Sequence, residues 1–232
     1  MEVTVVAKNY AMTIDLQSCI GCAACSVVCK NENNTDTGIN WSHHIHTTTG
    51  TFPNTKYEYI PTLCNHCENA PCVKACPVSA MYKDENGLTL HNSDKCIGCK
   101  SCMASCPYGV ISFNKKDPHQ YWNEKEAWSE LSLTPAEIKA KTGTVTPYYN
   151  PEREYRYEGS RYRGIVEKCQ LCDHRLERGE QPYCVSRCPA EARYVGDLND
   201  PNDKIHELLR YAHKGLREDL GTKPKVFYLR NF

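Results

Sequence analysis

Apolar positions in this chain come in short bursts, so the elements they predict are small. Ile205, Leu208, Leu209, Ala212, Leu216 and Leu220 follow helical spacing, and Gly221 is placed to end that helix. Val226-Phe227-Tyr228-Leu229 then reads as a short strand or docking arm. The stretch from Met81 to Leu90, with Asp84-Glu85-Asn86-Gly87 in its middle, reads as a hairpin with an Asn-Gly turn. Thr134-Pro135-Ala136-Glu137 is a capping box with proline at the first helical position, and Gly143 is a stop signal. Three echoes, at 76–82, 106–113 and 188–194, each read as a helix stopped by proline and leading to a short strand. Residues 31–59 are polar, rich in Asn and Thr, and read as a loop carrying Trp41, His43, His44 and His46. The histidines invite a metal reading; exposed loop histidines are the commoner explanation.

Composition changes this picture. Leu, Ile, Val and Phe together supply only 41 of 232 residues, below the roughly 20% at which an ordinary core becomes doubtful. Cysteine supplies 16 and tyrosine 15. The charges balance, 28 basic against 28 acidic, so the chain does not read as a disordered polyelectrolyte. Something has to staple it, and cysteine is the residue present in sufficient number. The neutral balance and a pI near 7.1 give no reason to propose nucleic acid as a partner. No run approaches 18 apolar residues and the mean hydropathy is −0.62, so no membrane-spanning helix is expected. Residues 1–8 carry no recognisable secretion signal.

The sixteen cysteines form four quartets with none left over. They are Cys19-x2-Cys22-x2-Cys25-x3-Cys29, Cys64-x2-Cys67-x4-Cys72-x3-Cys76, Cys96-x2-Cys99-x2-Cys102-x3-Cys106 and Cys169-x2-Cys172-x11-Cys184-x3-Cys188. Three end in Cys-Pro, at Pro77, Pro107 and Pro189. This is the bacterial ferredoxin run, whose thiolates bind 4Fe-4S cubanes, and four quartets imply four clusters. Runs this dense make poor disulfide frameworks. Tetrahedral zinc is an alternative for the fourth quartet alone, whose long internal gap resembles paired Cys-x2-Cys sites. Attached haem needs Cys-x2-Cys-His, and Asp173 stands between Cys172 and His174.

In two-cluster ferredoxins the fourth cysteine of a run binds the other cluster. The expected ligand sets are therefore Cys19, Cys22, Cys25 and Cys188; Cys169, Cys172, Cys184 and Cys29; Cys64, Cys67, Cys72 and Cys106; and Cys96, Cys99, Cys102 and Cys76. The implied fold is α+β, with two ferredoxin-like modules of the bacterial 8Fe type, one nested within the other. Residues 60–113 form the inner module, and 1–59 with 166–200 the outer one. An insertion spans 114–165, rich in Trp122, Trp128, Tyr121, Tyr148, Tyr149, Tyr155, Tyr157 and Tyr162, which suits an interface or a cover over the clusters. Residues 201–232 make a C-terminal helix and arm. Lys30 stands where the other runs have proline. It reads as a place where the chain need not turn back sharply, and less readily as a cation tuning a cluster.

The quartets, the Lys30 departure and Leu63-Cys64-Asn65-His66-Cys67 resemble the four-cluster electron-transfer subunits of the dimethyl sulfoxide reductase family. Within that family, Glu32-Asn33-Asn34-Thr35, Trp41-Ser42-His43-His44-Ile45, Gly50-Thr51-Phe52-Pro53 and Cys172-Asp173-His174-Arg175 are similar to the iron–sulfur subunits of respiratory arsenate reductases. Related subunits serve tetrathionate, polysulfide and catechol-dehydroxylating enzymes. The resemblance implies a large molybdopterin catalytic subunit as partner, which alone carries a molybdenum or tungsten bis-pterin cofactor. It implies a quinol-oxidising membrane subunit or c-type cytochrome as the external redox partner. The first-and-fourth-quartet pair is then nearer the catalytic subunit. It also implies a periplasmic location by co-export with that subunit, with the cytoplasm as the alternative. No catalytic site of the chain's own is legible, so it reads as the non-catalytic part of an oxidoreductase. A free-standing polyferredoxin is the rival from another class.

Overall fold

The computed structural model describes residues 7–116, 133, 135–143 and 163–230. It mixes short helices with four small sheets. The largest sheet has four strands: β1 (Tyr10–Asp15), β8 (Arg193–Asp197), β9 (His213–Gly215) and β10 (Val226–Leu229), in the order β8-β1-β10-β9. β1 pairs antiparallel with β8 and parallel with β10, so both ends of the described chain meet in one sheet. Met12, Ile14, Tyr228 and Ile205 are fully buried around it.

Helix α1 (Ala24–Glu32) follows β1. A hairpin of two ten-residue strands comes next, β2 (Ser42–Thr51) and β3 (Asn54–Leu63), antiparallel from Ser42↔Leu63 to Thr51↔Asn54. The loop expected over 31–59 is therefore half right. Its first part is irregular, and the rest is a hairpin whose outer half is exposed on both faces. Exposure removed the apolar alternation by which a half-buried strand is recognised. His43, His44 and His46 consequently sit on a strand, and the expected border between residues 59 and 60 falls within β3.

Helix α2 (Pro71–Lys74), β4 (Met81–Lys83), β5 (Thr89–His91), α3 (Ser101–Ser105) and β6 (Ser112–Phe113) follow. β4 and β5 pair as the expected hairpin, but the connection is five residues, Asp84 to Leu88, rather than a two-residue Asn-Gly turn. Asp84 closes it, its carboxylate accepting from Leu88 N at 2.5 Å and its carbonyl from Gly87 N at 3.3 Å. Helix α4 (Pro135–Thr142) has proline at its first position and Gly143 at φ +72° beyond its end, as its signals predict. The aromatic residues of the insertion lie outside the described residues. Its two ends do not: β6 pairs with β7 (Val166–Glu167), and Asn114 and Gly164 share a backbone hydrogen bond of 2.8 Å. The insertion leaves and rejoins the molecule at one place.

Helices α5 (Asp173–Leu176) and α6 (Tyr183–Ser186) precede β8. The single C-terminal helix expected from Ile205 to Leu220 is not formed. Helix α7 (Lys204–Leu208), capped by the Asp203 carboxylate accepting from Ile205 N, ends early. The following residues form β9 and a 3₁₀ turn (Glu218–Leu220) stopped by Gly221 at φ +64°. Pairing of Gly215 with Phe227 in the sheet outweighs helical spacing that carries a glycine in its middle. Among the described residues no helix is long and apolar enough to cross a membrane.

Candidate iron–sulfur sites

The core contains the cysteines rather than lying apart from them. Cys25, Cys29, Cys64, Cys169 and Cys184 pack with Met12, Ile14, Trp41, Leu63 and Tyr228, while Cys67, Cys72 and Cys102 pack with Met81, Ile111 and Val166. All sixteen thiols are free of disulfides.

Local backbone geometry recurs among the quartets. In the first and third, glycines at φ +68° (Gly21 and Gly98) sit between the leading cysteines, and Ala23 and Lys100 take the same left-handed conformation before α1 and α3. This curls each loop around a common space. Gly98 is also required sterically, because a Cβ there would collide with the Gly164 carbonyl, and one on Gly21 would meet the Tyr59 ring. Cys72, Cys102 and Cys184 sit on α2, α3 and α6, and Cys76, Cys106 and Cys188 lie just beyond those helices. The proline after each drives the cysteine toward extended backbone, as Cys106 shows at ψ 112°. Three residues past each of those cysteines, Ser79, Gly109 and Glu191 take positive φ and return a backbone N–H to the cysteine carbonyl at 3.2–3.4 Å. The first run lacks proline, so α1 continues through Cys29 and Lys30 to Glu32. Lys30 donates to the Asp36 and Ile39 carbonyls at 2.8 and 2.6 Å, closing the loop after α1.

The thiols gather across the runs. One small cavity is lined by Cys76, Cys96, Cys99 and Cys102. Another is lined by Cys64, Cys67, Cys72 and Cys106. Cys29 is surrounded by Cys169, Cys172 and Cys184; burial first, then those three neighbours, push its thiol pKa well up. Cys19 has Cys25 and Cys188 beside it, and its pKa is likewise raised, by burial and then by those thiols. Burial and the Cys64 thiol push Cys72 up to about 12, and burial with Cys96 and Cys76 pushes Cys102 up to about 11. Without metal these groups are neutral thiols, packed so closely that ionising one hinders the next. That is the donor chemistry of a site completed by a polycation, which stabilises the thiolate form.

Tetrahedral zinc would hold its sulfurs about 3.8 Å apart, given a Zn–S bond of about 2.3 Å. Among the described residues no three of His, Cys, Asp and Glu converge closely enough to share a single ion.

The gatherings also lie within electrostatic reach of one another in series. Cys25 acts electrostatically on Cys184, joining the first to the second. Cys64 acts on Cys169, joining the second to the third. Cys72 and Cys76, at and just beyond α2, and Cys102 and Cys106, at and just beyond α3, divide between the third and fourth. Cys22 and Cys99, in the first and last, are the two exposed cysteines.

Polar groups aimed at the sulfurs complete the site. Ala80 N and Met81 N donate to Cys76 at 3.2 and 3.5 Å, and Leu171 N donates to Cys169 at 3.4 Å. Asn33 Nδ2 reaches both Cys29 at 3.5 Å and Cys172 at 3.8 Å. His44 Nε2 lies 3.8 Å from Cys25 Sγ, which links one of the three histidines to a quartet; His46 stacks outward against Tyr57. Lys168, fully buried, donates to the Thr89 and Cys169 carbonyls beside the third gathering. His66 is held neutral by burial and by the nearby lysines 168, 83 and 225, and it accepts from Thr89 N at 3.1 Å. Sequence reading missed Asn33 and Lys168 as site residues. Their only local signal is proximity to a quartet.

Cysteines gathered across four runs, with ferredoxin loops at two of them and ferredoxin turns at three, define an iron–sulfur electron-transfer protein. The protein belongs to the 4Fe-4S dicluster domain family, whose model matches residues 55–122 and 137–198, more than half of its length. It is 55% identical, over 97% of both chains, to the arsenate respiratory reductase iron-sulfur subunit of Shewanella sp. (strain ANA-3). It is 34% identical to the iron-sulfur cluster-binding subunit of the menaquinone reductase of Nitratidesulfovibrio vulgaris, over 95% of this chain and 88% of that one. It is 32% identical to a polysulfide reductase polypeptide of Wolinella succinogenes, over 97% and 96%.

Proposed function

We propose that the protein relays electrons through four 4Fe-4S clusters between an external donor and a molybdopterin catalytic subunit that reduces arsenate. The ligand sets are those expected from the runs: Cys19, Cys22, Cys25 and Cys188; Cys29, Cys169, Cys172 and Cys184; Cys64, Cys67, Cys72 and Cys106; Cys76, Cys96, Cys99 and Cys102. Each cluster supplies a one-electron store. The protein's own residues fix the spacing, exclude water with buried aliphatic and aromatic side chains, and direct N–H groups at the sulfurs.

The feature that supports this reading is the serial order of the four gatherings, neighbours within electrostatic reach, with an exposed cysteine in the first and in the last. A store has no need of two exposed ends; a relay does. Arsenate as the partner's substrate rests on the 55% identity over 97% of both chains. Two nested ferredoxin-like modules follow from the ligand sets, since the first and fourth runs exchange cysteines around the second and third. Export to the periplasm with the catalytic subunit follows from the family resemblance, and cell fractionation tests it.

The deciding experiment is purification of the native complex, iron analysis and assay against arsenate, tetrathionate and polysulfide. Sixteen irons per polypeptide, a molybdopterin partner and arsenate turnover are expected. A lone monomer with full iron would return the free-standing polyferredoxin. Cys29→Ser should damage the cluster of Cys169, Cys172 and Cys184 and spare that of Cys19, Cys22 and Cys25; the reverse in the spectra would refute the ligand sets.

A further inference from the structure

Between the first two thiol gatherings lies a buried cation that no cysteine motif announces. Arg193 opens β8, opposite Ile14 of β1, with 5% of its surface exposed. Among the described residues neither of its terminal nitrogens reaches an oxygen acceptor, and the guanidinium hydrogen-bonds the Cys184 side chain. Its guanidinium lies beside the Cys184 and Cys25 side chains. The same guanidinium acts on Cys19 and Cys29, so it reaches sulfurs of both gatherings. A buried arginine ordinarily ends on a carboxylate or on carbonyls. A buried guanidinium that meets sulfur in place of oxygen marks a place prepared for added negative charge.

We propose that Arg193 is a fixed positive charge shared by the first two clusters, which raises both reduction potentials and weakens the repulsion between electrons held on neighbouring clusters. The inference rests on the ligand sets given above. Four thiolates around an oxidised core leave about −2, and reduction makes it about −3, so a nearby cation stabilises the reduced form more than the oxidised one. Burial keeps salt and water from screening that difference. Arg193 touches no substrate and acts through the clusters alone.

The test uses the full-length protein in its native complex, comparing Arg193→Gln, Arg193→Met and Arg193→Lys by iron analysis and EPR-monitored redox titration. The neutral variants should make the first two clusters harder to reduce by about tenfold or more in the reduction equilibrium, which is about 59 mV for a one-electron couple. The other two clusters should change less than about threefold, and Arg193→Lys should recover most of the loss. Neutral variants that drop iron from the first two sites while Arg193→Lys keeps it would carry the same conclusion. Unchanged potentials with full iron, or a lysine variant indistinguishable from the glutamine one, would overturn it. Wild-type protein with far fewer than sixteen irons would instead sink the ligand reading beneath it.

Discussion

His174 and Glu32 stand 142 positions apart and meet through Nε2 and Oε1 at 2.8 Å, both buried. Arg175 adds a second contact to the same carboxylate oxygen at 3.4 Å. The pair ties the end of α1, three residues past Cys29, to α5, just past Cys172. It therefore clamps the run that holds Cys29 to the run whose cysteines surround it.

Glu32→Ala should loosen that clamp. Burial pushes the Glu32 carboxyl pKa up, but His174 and then Arg175 pull it below its ordinary value, so the carboxylate is the form held in the fold. Losing a hydrogen bond to such a group costs about 1.5–3 kcal/mol. Bleaching of the cluster absorbance in urea should shift to lower denaturant, and Glu32→Gln should lose less. An unchanged midpoint for Glu32→Ala would contradict the role.

Asn33→Leu removes the N–H donor shared by Cys29 and Cys172 and keeps the volume. Donors to cluster sulfurs favour the reduced state. At about 1 kcal/mol for a hydrogen bond, the second cluster should become harder to reduce by about fivefold, read in a redox titration. A shift to easier reduction would be the wrong sign.

Lys83 sets a pH dependence. Burial and then the neighbouring Lys225 lower its pKa from 10.5 to about 8, while its ammonium donates to the Cys67 and Gly87 carbonyls. Between about 8 and 10.5 the unfolded protein holds more protons than the folded one, so stability rises with pH across that window. Lys83→Met should flatten the rise. Denaturation midpoints from about pH 7.5 to 10 measure it, and a fall in the wild type would refute it.

Iron removal should unfold the protein, and iron return should release protons. Thiols of the unfolded, metal-free protein are mostly protonated at neutral pH, with an ordinary pKa of about 8.5, and must give up those protons to bind iron. Circular dichroism after chelation and proton release during anaerobic reconstitution read the two effects. A cooperative, native-like metal-free state would count against the claim that the aliphatic core is too thin to stand alone.

The parts legible in sequence were those whose cause is local. The Cys-Pro turns and the strands after them needed only a proline, a positive φ three residues on and a short apolar stretch, and β4, β6 and β8 stand where those signals pointed. The β2–β3 hairpin was not legible, because strands exposed on both faces need no alternation. The tail misled because helical spacing in Ile205–Leu220 coexists with Gly215, and strand pairing with β10 decided between them.

Sequence by itself determined the chemistry: sixteen thiols at ferredoxin spacing admit few partners, and the spacing is a property of the polypeptide alone. Tertiary structure decided what surrounds that chemistry. Arg193 faces sulfur only because β8 pairs with β1 in one register, and Asn33 and Glu32 meet the fourth run only because α1 extends past Cys29. The physical reason is range. A covalent bond to iron fixes its ligand types through local geometry, whereas an electric field depends on which distant segments the fold brings within a few ångströms, and no local pattern records that.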